Sequence, residues 1–168
     1  MSPGNGTLTW TTFVEDLTTL ETAEAKLMVE DAFVAEIERG VGFMTEAGID
    51  DELAQVLHGE IDPSRDPRYA AVVRSVVVPG GFAKGVEAGI EIARRATELG
   101  GQPTTFLLAT TGMYGGVAWV TGADSLAELE RAEQAVNADP GFVQYIDEVA
   151  PGAFQPGVTT QAIYTRIA

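Results

Sequence analysis

Cysteine is absent from this sequence and histidine occurs once. Without thiols there is no disulfide, no thiolate nucleophile and no cysteine-based metal site. With one histidine, the carboxylates Glu21, Glu24, Glu30, Asp31, Glu36 and Glu38 cannot form a di-iron bundle, which needs paired Glu-x-x-His motifs. Haem would have His58 as its sole histidine ligand, and no cofactor is expected. Basic residues are also scarce: 10 Lys and Arg stand against 25 Asp and Glu, a net charge of −15. Phosphate binding needs concentrated cations, so neither nucleic acid nor an anionic membrane is an expected partner. No apolar run is long enough to cross a bilayer, and MSPGNG at the start lacks the basic and apolar segments of a signal peptide. The expectation is a soluble cytoplasmic protein. Neither GxGxxG nor GxxxxGK[ST] is matched, so Pro79-Gly-Gly-Phe-Ala-Lys-Gly85 reads as a turn rather than a phosphate loop.

What is present is ordinary for a folded chain. Hydrophobic residues make up 45% and charged residues 21% of 168 positions, enough for one generous domain or two small ones. The chain also uses one stretch twice. Residues 6–24 (GTLTWTTFVEDLTTLETAE) and 115–133 (GGVAWVTGADSLAELERAE) align without a gap at an offset of 109, with eight of nineteen positions identical. The identities include Trp10 with Trp119 and Leu17 with Leu126, and they indicate a tandem duplication. The same offset sets Gly48-Ile49 on Gly157-Val158 and, after a small adjustment, Gln55–Ile61 on Gln161–Ile167.

Residues Thr7–Val14 are β-branched and aromatic and read as a strand. Helical spacing of Leu20, Ala23, Leu27, Phe33 and Ile37 predicts a helix from Leu17 to about Ala47, broken around Gly40 and Gly42 and stopped at Gly48. Leu53–Ile61 is a short strand by its repeat counterpart. Asp62-Pro-Ser-Arg-Asp-Pro67 reads as a linker, dividing an incomplete unit at 6–61 from a complete one at 68–168. The second unit carries a strand at Tyr69–Val78, an amphipathic helix at Phe82–Leu99 stopped by Gly100-Gly101, and strands at Thr104–Thr110 and Gly116–Thr121. A helix capped by Ser125 runs to about Asn137, a second piece starts at Pro140 and ends near Val149, and Val158–Ile167 is the last strand.

This order is βαββαβ, a ferredoxin-like α+β unit preceded by a strand-helix-strand half-repeat. Its close, AVNADPGFVQYIDEVAPGAFQPGVTTQAIYTRIA, resembles the end of dimeric α/β-barrel domains of the NIPSNAP-like and antibiotic-biosynthesis-monooxygenase-like branches. The resemblance implies a sheet with helices on one face and a pocket on the other. It implies a small-molecule ligand and a homodimer, and an enzyme of the cofactor-free monooxygenase or polyketide-cyclase type, or a binding protein of the same fold. The first repeat lacks the counterparts of its first strand, helix and second strand. The two segments Thr7–Val14 and Leu53–Ile61 therefore need backbone partners from the other unit, a second copy or a further segment.

Period-two alternation sets the candidate residues. In the last strand Ile163 and Ile167 suit the helix side, so Ala162, Tyr164 and Arg166 point away from it; the repeat equivalents are Val56, His58 and Glu60. His58 with Glu60 is a candidate proton-accepting pair. Arg74, in the central strand, is a candidate for holding an anionic or carbonyl oxygen, with an ion pair to Glu60 as the structural alternative. Trp10, Trp119 and Tyr114 are candidate aromatic walls.

Overall fold

The computed structural model describes residues 8–42, 51–62 and 64–167. They belong to two compact units, which divide between Asp50 and Asp51.

The first unit contains helices α1 (Leu17–Leu27) and α2 (Asp31–Val41). Asp16 caps α1 by accepting a hydrogen bond from the Thr19 N–H at 2.7 Å. The expected continuous helix is interrupted at Met28–Glu30, where Glu30 has an extended backbone. Neither helix buries a residue. Residues 8–14 form no strand, a departure from the sequence reading: they have the composition of a strand but no backbone hydrogen-bond partner among the described residues, and composition alone does not make one. The expected stop at Gly48 lies outside the described residues.

The second unit is one sheet with three helices. Its strands are β1 (Ala54–His58), β2 (Tyr69–Val76), β3 (Thr104–Ala109), β4 (Gly116–Ala123) and β5 (Thr160–Thr165), in the order β1-β3-β4-β2-β5. Every pairing is antiparallel. Between them run α3 (Phe82–Gly100), α4 (Leu126–Ala138) and α5 (Pro140–Ala153). Strands β2 to β5 with these helices are the expected βαββαβ, and the ferredoxin-like α+β class holds.

The unit boundary falls elsewhere than the proline-rich linker. Strand β1 is hydrogen-bonded along β3, so residues 51–61 belong to the second unit's sheet and 62–67 is a connection inside it. At the other end, α5 continues past Val149 and includes Pro151.

Local chemistry explains the helix ends. Ser125 caps α4, accepting from the Glu128 N–H at 3.3 Å, while the Glu128 carboxylate accepts from the Asp124 N–H at 3.0 Å. Asp139 caps α5 through the Phe142 N–H at 2.7 Å, with Pro140 in the first turn. Gly101 ends α3 with φ of 69°, the left-handed geometry that favours glycine.

The core lies between the helices and one face of the sheet. Phe106 is fully buried; its ring stands 5.3 Å from Trp119, and Trp119 packs edge-on against Phe154. The Trp119 indole N–H donates to the Gly89 carbonyl at 2.9 Å, a buried bond that seats α3 on the sheet. Gly85 and Gly89 permit this close approach, since an added Cβ would lie 2.6 Å from Val77 or 2.2 Å from Phe106.

Candidate functional site

The second face of the sheet carries none of α3, α4 or α5. Register assigns its residues: Val72 stands beside Val120 and Ala162, and Ala70 beside Gly122 and Tyr164. Arg74 stands beside Ala118 and Thr160, and Leu107 beside Ala118 and Val56. Alanine, glycine, valine and threonine make most of this surface, so it is shallow and apolar. Acidic residues are 25 of the chain's 168, yet no strand position on this face is Asp or Glu.

Two polar side chains meet on it. Arg74 and Tyr164 are four residues apart in register, about 13 Å along the strands. Their side chains span that distance by reaching toward each other, over the Val72–Ala162 pair, and the Arg74 Nη1 donates to the Tyr164 hydroxyl at 3.1 Å. The guanidinium also lies 5.8 Å from the Tyr164 ring centroid. Val72 is only 9% exposed, consistent with this cover. Arg74 has no carboxylate within ion-pair distance among the described residues, so the Glu60 pairing is not formed.

Arg166 instead bonds Asp66, through both the carboxylate and the backbone carbonyl. Its backbone N–H donates to the Arg68 carbonyl at 2.9 Å, so Arg68 and Arg166 face each other at the end of the same two strands.

His58 and Glu60 are not brought to this pair. The β1 register shifts between Val56 and His58, which aligns His58 with Phe106, a helix-side position. This bulge breaks the alternation on which the expected facing rested. Gly59 follows with φ of 86°, close against Thr105. Strands β3 and β4 also lie between β1 and β2, three spacings or about 14 Å.

The aromatic candidates disperse as well. Trp119 is 7% exposed on the helix side and anchors the core, away from the second face. Trp10 is 80% exposed in the first unit, and Tyr114 is 91% exposed in the β3–β4 connection. What the sequence reading missed is that Arg74 and Tyr164 meet: both sit at even-numbered positions of paired strands, in Tyr69–Val76 and Thr160–Thr165.

A separate open cleft of about 960 Å³ runs between α3 and α5, lined by Phe82, Val86, Ile90, Tyr145 and Val149 among others. Of its ionisable lining, Glu91 and Tyr145 are engaged by neighbouring arginines, while Lys84 and Glu87 have no ion-pair partner among the described residues. Hydrogen bonds from Arg94 and then Arg95 hold the Glu91 carboxyl at about 2, well below the usual 4.5. Arg95 also stacks 4.2 Å over Tyr145, whose hydroxyl is pushed up by burial and by Glu91. Two polar groups that converge directly on each other, Arg74 and Tyr164, are found on the sheet. Among the described residues no cluster of His, Asp and Glu suits a metal ion, and no helix is long and apolar enough to cross a membrane.

No protein-family model matches the sequence, and no curated protein matches it. Solved structures do match. A NIPSNAP domain protein from Burkholderia xenovorans superposes with a TM-score of 0.51 at 10% identity, over 60% of this chain and 95% of that one. An anthrone oxidase-like protein gives 0.56 at 18%, over 90% of this chain and 67% of that one. A monooxygenase-like protein from Fusobacterium nucleatum gives 0.60 at 10%, over 89% and 64%. The fold is that of the NIPSNAP-like and monooxygenase-like ferredoxin-fold proteins.

Proposed function

We propose that the second face of the sheet binds a small molecule and that the chain is an enzyme of secondary metabolism acting on an aromatic or polyketide-like substrate, as a cofactor-free monooxygenase or a cyclase. The observation that supports this most is the Arg74–Tyr164 pair on an otherwise apolar face free of carboxylates. An apolar substrate body lies on the valine and alanine floor, and a substrate oxygen lies against the pair. Negative charge that develops on that oxygen, as an enol or phenol loses its proton, is stabilised by a guanidinium and a phenolic O–H. The class of chemistry is suggested by the anthrone oxidase-like protein that shares the fold; the residues come from this chain alone.

A second copy closes the pocket, since an apolar sheet face of this extent calls for a cover. The expected mass in sedimentation at micromolar concentration is twice the 17.7 kDa of one chain. Anthrone is the direct test of activity. Oxygen uptake and quinone absorbance should exceed the buffer rate, and Arg74→Gln and Tyr164→Phe should remove the excess while urea midpoints stay close to wild type. Anthrone that neither binds nor turns over sinks the proposal. Binding without turnover selects a non-catalytic binding protein, which is favoured by the position of His58, the sole histidine, away from Arg74.

A further inference from the structure

We infer that the ligand of the second face is itself a carboxylate: an aromatic or polyketide-derived acid, held by the free edge of Arg74. This rests on the assignment of that face as the binding surface.

Three observations lead to it. The first is the distribution of charge. In a chain with a net charge of −15, the strip of β2 and β5 on this face holds Arg74 in its strands and Arg68 and Arg166 at its end, with no acidic strand position. What marks this face is the three arginines, because the strands carry no Asp or Glu on either face. Against so acidic a chain they lower the local repulsion that an approaching anion meets.

The second is the state of the guanidinium. Arg74 spends Nη1 on Tyr164, and its Nε and Nη2 hydrogens have no acceptor among the described residues. Those two N–H groups form the side-on edge that receives both oxygens of a carboxylate. Nearby Arg166, by contrast, is already engaged by Asp66. Arg74 is the arginine with capacity left.

The third is Tyr164. Because its oxygen accepts from Arg74, its own O–H hydrogen is free to be donated. The pair therefore offers three donors and no competing acceptor except the phenol oxygen already in use. The floor beside them, Val72, Val120, Ala118 and Ala162, fits a flat hydrocarbon body with nothing polar to satisfy it.

The probes are 2-naphthoate and 2-naphthamide, which share shape and apolar area and differ in charge. Calorimetric titration of the full chain at neutral pH and low salt should give roughly tenfold or tighter binding of naphthoate over naphthamide, the range of one charge-assisted hydrogen-bonded pair. Arg74→Gln should abolish the difference between the two probes, with naphthoate losing far more affinity than naphthamide. Tyr164→Phe, a smaller change that keeps the ring, should lose part of the preference, and added salt should erode it in wild type. Equal binding of the two probes, or a preference that survives Arg74→Gln, overturns the carboxylate assignment while leaving the face as a binding surface. Failure of both probes to bind overturns the binding surface and the inference together.

Discussion

Replacing Gly89 by alanine puts the packing of α3 to a quantitative test, because two effects of opposite sign compete there. In a helix interior the change ordinarily stabilises by about 1 kcal/mol, since alanine loses less backbone entropy. Here the new Cβ would stand 2.2, 2.4 and 2.8 Å from three atoms of the Phe106 ring. That ring is fully buried and backed by Trp119, so it cannot swing aside without opening the core. The alternative is for α3 to lift, which stretches the 2.9 Å bond from the Trp119 indole to the Gly89 carbonyl. Overpacking costs about 1–3 kcal/mol, more when the obstacle is rigid. The net expectation is a loss of about 2 kcal/mol, near thirtyfold in the folding equilibrium. Urea unfolding followed by Trp119 fluorescence, in a Trp10→Phe background, reads it directly. Gly40→Ala in α2, where nothing lies within 4 Å of the added Cβ, is the control and should cost nothing. Phe106→Leu combined with Gly89→Ala should be less damaging than the two losses added together. If Gly89→Ala were neutral or stabilising, α3 would not be seated on Phe106 as described.

Ser125→Ala and Asp139→Ala each remove an N-cap acceptor and should each cost about 1 kcal/mol in urea unfolding, without altering the sheet. Glu91 lies at about 2 when folded, below its usual 4.5, so its contribution is fully present above about 4.5 and is lost as pH falls toward 2. Glu91→Gln should therefore be less stable than wild type at pH 7, and the gap between their urea midpoints should close on acidification; a gap independent of pH contradicts this. Arg74→Gln should change stability by less than about 1 kcal/mol, since its bond to Tyr164 is exposed, so loss of ligand affinity in that variant reports on binding.

The βαββαβ order was legible because each boundary has a local chemical cause. Gly100-Gly101 stops α3, Ser125 starts α4 and Asp139-Pro140 starts α5, and none of these depends on what the chain packs against. The orientation of Tyr164 follows in the same way, from strict alternation in an unbroken strand. What was not legible depends on partners. Leu8–Val14 has strand composition, but a strand exists only when another backbone receives its hydrogen bonds. The shift at Val56–His58 is set by the register against β3, and one extra residue is enough to reverse a face. The helix starts at Leu17 and Leu126 agree with the offset of 109, whereas Trp10 in irregular chain and Trp119 in β4 do not share a setting. The caps carried across as two different acceptors, Asp16 and Ser125, and the pairing did not travel with them.

The connection from β1 to β2 runs from the rim of the sheet past two strands to the fourth in line. On the way Arg65 bonds Gln102, Pro67 lies under Gly122, and Asp66 holds Arg166. It works as a belt around one end of the sheet. While the belt is whole, β1 meets β3 at the high local concentration that a short tether imposes, of millimolar order. A single protease cut after Arg65 would turn that encounter into one between two molecules, governed by how much of each is present. The rim strand would then be a separate molecule, held on by its pairing with β3, by Leu57 on the core and by the Arg65–Gln102 bond, and its occupancy would depend on concentration.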